Sequence, residues 1–369
     1  MNAPISSATP KPLARIRHDV QGMHAYAVQD SRGLIKLDAM ENPHRLSPAL
    51  QAELGARLGQ VAVNRYPGER IDALKTALWG HAQPPADWSL MLGNGSDELI
   101  SLLALACDLP GASILAPLPG FVMYAMSAQL QGLAFHGVPL TADFELDEAA
   151  MLAAIARHRP AIVYLAYPNN PTGTLWDEGA IARIIAAQGA AGGLVVMDEA
   201  YQPFAARSWI ENVRAAPAQH RHVLILRTLS KYGLAGVRIG YLLGEATLMA
   251  ELDKVRPPYN VSVLNAECAL FALGHSDVFA AQAQDIRAQR ALLFEALARL
   301  HGVHAFPSQA NMILLRVPDA TKAFEGMRAR GVLVKNVSKM HALLAQCLRL
   351  TVGTADENAQ MLAALQAAL

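Results

Sequence analysis

Between residues 70 and 245 the chain repeats one pattern: a run of four or five apolar residues, a polar turn, then residues at helical spacing. The runs at 113–116, 162–166, 194–197, 223–226 and 239–243 show no polar alternation, so the strands they form must be covered on both faces. Helical windows such as 178–188 lie between several of them. Strands that alternate with helices predict an α/β fold, a mainly parallel sheet covered by helices. In such sheets ligands bind beyond the carboxyl ends of the strands. The polar motifs of this chain fall just after the apolar runs.

At 369 residues the chain exceeds the size at which one core usually stops growing, which predicts two domains. Residues 46–255 read as a large domain around the parallel sheet. Its first helix is expected after Ser47-Pro48, with serine as cap and proline in the first turn. From Arg256-Pro257-Pro258-Tyr259-Asn260 onward, residues 256–369 read as a smaller α+β domain: helices at 263–273, 277–301, 320–330 and from 356, with strands at 312–317, 332–335 and 348–352. Residues 1–45 read as an N-terminal arm and a segment packing with the small domain. The stretch 1–17 is rich in Ala, Ser and Pro and lacks acids, a composition shared with transit peptides, yet Pro4, Pro10 and Pro12 spoil an amphipathic helix there.

Composition narrows the function. Hydrophobic residues make up 53% and charged residues 17%, which suits a well-packed enzyme with room for a subunit interface. The 31 basic and 31 acidic residues cancel, which argues against nucleic-acid or anionic-membrane partners. Cys107, Cys268 and Cys347 lie far apart without CxxC spacing. They read as thiols in a reducing cytoplasm, not as a disulfide framework or a metal site. No run approaches the roughly 18 apolar residues of a membrane span.

Four motifs carry chemistry. Leu229-Ser230-Lys231-Tyr232-Gly233-Leu234-Ala235-Gly236-Val237-Arg238 follows the run at 223–226. A lysine amine in a partly dry site can lose its proton and join an aldehyde. The adjacent serine and the arginine beyond it suit a phosphate. Aldehyde and phosphate in one ligand suggest pyridoxal 5'-phosphate (PLP), although a surface lysine on a loop after a strand also reads this way. Gly93-Asn94-Gly95-Ser96-Asp97-Glu98 precedes a helical run. Free amides at such a helix start, those of Ser96 and Asp97, attract an anion, although an ordinary capped helix also reads this way. Tyr167-Pro168-Asn169-Asn170-Pro171-Thr172-Gly173 brackets two asparagines between prolines, as a ligand-facing or a solvated turn. Met197-Asp198-Glu199-Ala200-Tyr201 ends a strand. A carboxylate there can hold the ring nitrogen of PLP charged and so make the ring an electron sink. A helix cap is the alternative for Asp198.

GNGSDE, YPNNPTG, DEAY and SKYGLAGVRIGY, in this order, resemble the aspartate-aminotransferase superfamily of fold type I PLP-dependent transferases, and within it the histidinol-phosphate aminotransferase family. The similarity runs from Leu37-Asp38-Ala39-Met40-Glu41-Asn42-Pro43 to Leu348-Arg349-Leu350-Thr351-Val352-Gly353. The resemblance implies that Lys231 carries the cofactor and later shuttles the proton at Cα. It assigns Asp198 to the pyridine nitrogen and Asn170 and Tyr201 to the ring oxygen. The Ser96 and Asp97 amides, Ser230 and Arg238, with Thr228 nearby, would hold the phosphate. In Asn64-Arg65-Tyr66-Pro67, Tyr66 matches a tyrosine that reaches the PLP phosphate of a neighbouring subunit, which implies a homodimer with shared active sites. Arg349 matches a cation that grips the substrate's phosphate ester or the carboxylate of glutamate. Tyr26 matches a tyrosine that helps bind the substrate phosphate, though an exposed aromatic on an arm reads the same way.

Three positions depart from the family. Phe121 stands where many members carry a ring-stacking tyrosine, which keeps the stacking and loses a hydroxyl. Lys335 stands where some have a second phosphate-binding arginine, giving charge without the fork. The step from Lys231 to Arg238 is one residue shorter. The implied reaction moves the amino group of L-histidinol phosphate to 2-oxoglutarate, giving imidazole acetol phosphate and L-glutamate, in histidine biosynthesis. The alternatives are an aromatic amino-acid aminotransferase, which shares every cofactor contact, and more distantly a decarboxylase of amino-acid phosphates. A PLP-sensing DNA-binding regulator would need a basic helix-turn-helix ahead of the fold, for which only about forty residues are present.

Overall fold

The structure is a computed structural model that describes residues 12–23, 25 and 28–369. Tyr26 lies outside them. The chain divides into a unit ending at Arg32 and a second unit, Gly33–Leu369. In the first, a short 3-10 turn at Pro12–Arg15 is followed by a one-turn helix, His18–Gln21. The Gln21 side chain donates to the carbonyls of Leu13 and Ile16 (2.9 and 2.7 Å).

The second unit contains thirteen strands among the described residues. β1 (Ile35–Lys36) pairs in parallel with β11 (Val332–Leu333). Seven strands build the large sheet: β2 (Trp88–Gly93), β3 (Ser113–Leu118), β4 (Ala134–Pro139), β5 (Ile162–Ala166), β6 (Leu194–Asp198), β7 (Val223–Thr228) and β8 (Gly240–Glu245), in the order β2-β8-β7-β6-β5-β3-β4. β8 runs antiparallel to β2 and β7, and all other pairs are parallel. Four strands form the smaller sheet, in the order β12 (Lys335–Asn336), β13 (Cys347–Thr351), β10 (Met312–Arg316) and β9 (His304–Ala305), every pair antiparallel.

The unbroken apolar runs have a direct cause. In β5, Ile162 and Tyr164 enter one buried cluster while Val163 and Leu165 enter another, and in β7 Leu224 and Leu226 oppose Val223 and Ile225 in the same way. Both faces of the sheet are therefore covered. Burying such side chains contributes roughly 1.5–3 kcal/mol each. Helices Val122–Gln131, Glu148–His158 and Glu178–Ala190 make the crossovers from β3 to β4, β4 to β5 and β5 to β6. A third cluster, built on Met312, Ile313, Leu315, Leu348 and Leu350, serves the smaller sheet.

Element boundaries follow local chemistry. Ser47 accepts from the Leu50 amide (3.3 Å) with Pro48 in the first turn, so the helix Pro48–Gly59 starts at the expected place. The strand expected at 332–335 is split: Val332–Leu333 pairs with β1, and Lys335–Asn336 turns to pair with β13. β4 gave no apolar run because it is an edge strand, largely open to solvent and interrupted by Gly137.

Chain direction then sets the site. After β3 the chain crosses outward to β4 and returns to β5 on β3's other side, a switch in winding that opens a crevice at the strand ends. Ala166, Asp198 and Thr228, the last residues of β5, β6 and β7, all line one cavity there.

Candidate active site

Asp198 ends β6 at the floor of this cavity and is 5% exposed. Its Oδ2 accepts from the Tyr124 hydroxyl (2.6 Å) and its Oδ1 from the Ala200 amide (3.0 Å). Burial pushes the carboxyl from 3.8 up to about 6, against the pull of those two hydrogen bonds. Burial, then the neighbouring Asp198 charge, drives the Tyr124 hydroxyl well above its usual range, so it stays a donor. The Tyr124 ring stacks on Tyr164 (centroids 4.2 Å apart, 9° between planes) and meets Phe121 edge-on (5.6 Å). A carboxylate held this way suits a protonated ring nitrogen.

Lys231 follows β7 on a tight turn, Ser230–Leu234, in which Gly233 has φ 136°. A side chain there would strike the Phe279 ring at 2.9 Å. The amine donates to the Ala39 carbonyl (2.9 Å) and sits 5.9 Å from the centre of the Tyr201 ring. Burial, then the nearby Arg349 charge, lowers its pKa from 10.5 to about 8. An amine in that state is a usable nucleophile and base near neutral pH.

An anion cradle closes the cavity's other end. Helix Ser96–Ala106 starts at Gly95 (φ 82°) with no side-chain cap, so its first amides face outward from the helix start. A Cβ on Gly95 would lie 2.6 Å from Arg238 Nη2, and one on Gly240 would lie 2.6 Å from the Ser96 amide nitrogen. Both positions need glycine because guanidinium, amide and loop converge. Arg238, itself left-handed at φ 55°, donates through Nη1 to Ser230 Oγ (3.3 Å), which also accepts from Thr228 Oγ1 (3.0 Å). Asp97 Oδ2 lies 3.7 Å from Arg238 Nη2.

Ten of the residues singled out by sequence thus line one cavity of about 340 Å³: Ser96, Asp97, Phe121, Asn170 and Asp198, with Tyr201, Thr228, Ser230, Lys231 and Arg238. Arg349 stands immediately behind them on β13. Its Nη1 donates to Asn170 Oδ1 (2.7 Å) and its Nη2 to the Asp38 carbonyl (2.8 Å), which leaves the Asn170 NH2 as the face toward the cavity. Lys335 is in register with Arg349 across β12 and β13 but is not part of the cavity wall. Tyr66 also stays outside: it is 76% exposed and stacks on Tyr259 (4.1 Å, 14°).

Two cavity residues with titratable side chains escaped the sequence reading. Tyr124 sits three residues after Phe121, one turn along the same helix, and that spacing was the available signal. Glu41 lies in the quoted segment Leu37 to Pro43 without having been given a role. Among the described residues there is no group of three or more His, Cys, Asp or Glu able to hold a metal ion, and no helix long and apolar enough to cross a membrane.

Comparisons with known proteins bear on this geometry. Residues 32–365 match the sequence profile of the family Aminotransferase class I and II. Over 369 residues the chain is 68% identical to a histidinol-phosphate aminotransferase of Polaromonas naphthalenivorans (strain CJ2), covering 100% of both chains. It is 69% identical over 358 residues to one from Acidovorax sp. (strain JS42), covering 97% of each. Among solved structures, the fold is similar to the histidinol-phosphate aminotransferase from Sinorhizobium meliloti in complex with pyridoxal-5'-phosphate (TM-score 0.79, 24% identity, covering 99% of this chain and 98% of that one). It is likewise similar to that from Clostridium acetobutylicum (TM-score 0.80, 19% identity, covering 89% and 97%). With the match spanning both sheets and every element that borders the cavity, this chain belongs to the class I and II aminotransferase family.

Proposed function

We propose that this protein is a PLP-dependent histidinol-phosphate aminotransferase, which exchanges an amino group between L-histidinol phosphate and 2-oxoglutarate in histidine biosynthesis. The observation that carries the chemistry is the meeting of Lys231, Asp198 and the Ser96–Ser230–Arg238 cradle in one cavity. The relatives at 68–69% identity over nearly the whole chain support the substrate.

PLP fits the donor set. Its phosphate matches the uncapped helix start, Ser230 and Arg238, its ring nitrogen matches the buried Asp198 carboxylate, and its ring oxygen matches the Asn170 NH2 and Tyr201. When bound, the cofactor supplies an aldehyde to take up the amino group and a ring to receive the electron pair left at Cα. Asp198, ionised opposite a charged ring nitrogen, keeps that ring electron-poor. Lys231, with a pKa of about 8, releases the site to the incoming amine and then carries the proton to and from Cα. Phe121, which lines the cavity, would cover the ring of the bound cofactor. Arg349 holds Asn170 in place and is the cation for the substrate's phosphate ester or for the carboxylate of glutamate.

The wider reading is a cytoplasmic homodimer with a large lobe at 46–255, a small lobe at 256–369, and Tyr66 completing the partner's cofactor site. The exposure of Tyr66 supports the last point. Lys231→Ala is expected to abolish steady-state transamination while the protein stays folded. A variant that turns over L-histidinol phosphate at the wild-type rate would remove Lys231 from the chemistry and the proposal with it.

A further inference from the structure

The segment Leu37–Asn42 borders the reactive amine and is fixed from several sides at once. Its backbone accepts from Thr351 N at Leu37 (3.0 Å), from Arg349 Nη2 at Asp38 (2.8 Å), from Lys231 Nζ at Ala39 (2.9 Å) and from Asn311 Nδ2 at Met40 (3.0 Å). The Met40 amide donates to Thr351 Oγ1 (3.0 Å). Asn42 anchors the far end on Gln282 (2.9 Å). Inside this frame Met40 adopts a left-handed φ of 52°, a conformation a long side chain avoids unless its surroundings impose it. The residue that this kink delivers into the cavity is Glu41.

Three carboxylates line the cavity, and two already have a task. Asp198 is held by Tyr124, and Asp97 faces Arg238 in the anion cradle. Glu41 has no cofactor atom to serve. It pairs with Lys36, whose Nζ also lies 3.6 Å from Asp38, and it keeps 43% of its side chain exposed. A half-exposed carboxylate at the rim, next to the amine but committed to no cofactor contact, is suited to the part of a substrate that differs between aminotransferases. An azole ring carries an N–H that a carboxylate can accept, whereas a phenyl ring of similar size has none.

We infer that Glu41 is a specificity-determining residue, which accepts a hydrogen bond from the ring N–H of an azole-bearing amino substrate. The inference rests on the proposed function and deepens it. The carboxylate fixes the ring end of the substrate while Arg349 takes its anionic end, so the site measures the substrate by two separated polar groups.

The test compares two half-reactions of the PLP-loaded protein, with L-histidinol phosphate and with L-glutamate, for wild type and Glu41→Gln. Absorbance of the bound cofactor reports loading. Glu41→Gln is expected to raise the KM for L-histidinol phosphate and to shift the ratio of the two half-reactions against it by about tenfold, because the amide oxygen that remains accepts without the charge. An equal fall in both half-reactions overturns the inference. A second arm needs no variant: wild type should prefer L-histidinol phosphate to the phosphate ester of L-phenylalaninol by about tenfold. Equal rates on these two also overturn it, whereas reaction with neither removes the functional reading itself. Lys36→Met, which keeps the carboxylate, should preserve the preference, and its loss in that variant would place the discrimination elsewhere.

Discussion

At the scale of single residues, the pair Asp198–Tyr124 decides how the cavity is charged. Asp198 titrates at about 6 in the folded chain against 3.8 unperturbed. A pKa raised by folding adds stability at low pH, and that stability is lost as pH climbs through the folded value. Without cofactor, the ionised carboxylate therefore costs on the order of 3 kcal/mol above pH 6, at about 1.4 kcal/mol per pKa unit. Asp198→Asn removes this cost. In urea unfolding of the PLP-free protein, the variant should gain on wild type between about pH 4 and pH 6, the interval between the unfolded and folded values, while its PLP affinity collapses. A stability difference flat with pH would contradict the buried charge. Tyr124→Phe deletes one of the two hydrogen bonds that favour the ionised form. It should weaken PLP binding by about 1.5–3 kcal/mol, read from a PLP titration, and unchanged affinity would show that Tyr124 only packs.

At the scale of elements, the site depends on how strand ends are tied together. Glu199, next to Asp198, accepts from Arg227 Nε (2.9 Å), Ser208 Oγ (2.8 Å) and the Trp209 amide (2.5 Å), and both charged partners are almost fully buried. This pair joins the end of β6 to the end of β7, and so the acid to the lysine turn. Glu199→Ala strands Arg227 as an unpaired buried charge and should cost about 3–5 kcal/mol in unfolding free energy. A loss under 1 kcal/mol would mean that water reaches the site. Gly95→Ala forces a side chain into φ 82° and against Arg238. It should lower PLP affinity more than it lowers the melting temperature of the PLP-free protein.

The sheet was legible in the sequence because both its faces are buried, so each central strand left an unbroken apolar run. β4, half in solvent, left none. Much of the cavity lining was legible for a related reason: glycine turns, strand-end carboxylate and lysine are local motifs with fixed chemistry, and the structure brings them to one cavity. What stayed hidden depends on contacts across hundreds of residues. Nothing near Glu41 in sequence announces that Arg349, Thr351 and Asn311 pin the backbone of Asp38 and Met40 just before it, and nothing near Arg349 announces that it stands behind Asn170.

At the scale of the whole molecule, the large sheet and the smaller one divide the work. The first supplies Lys231, Asp198 and the anion cradle, and the second supplies Arg349 on β13. Tyr66 belongs to neither surface of the cavity. If it serves a neighbouring subunit, Tyr66→Phe should weaken PLP binding without dissociating the dimer, as read by sedimentation beside a PLP titration; a wild-type protein that sediments as a monomer would overturn that role. The most direct test of the account is a single turnover of the PLP-loaded protein followed by absorbance, with L-histidinol phosphate, L-phenylalanine or L-aspartate as amino donor. L-Histidinol phosphate should convert the bound cofactor to its amino form fastest, and 2-oxoglutarate should restore the starting spectrum. A spectrum that L-histidinol phosphate leaves unchanged, or that L-phenylalanine changes just as fast, would contradict it.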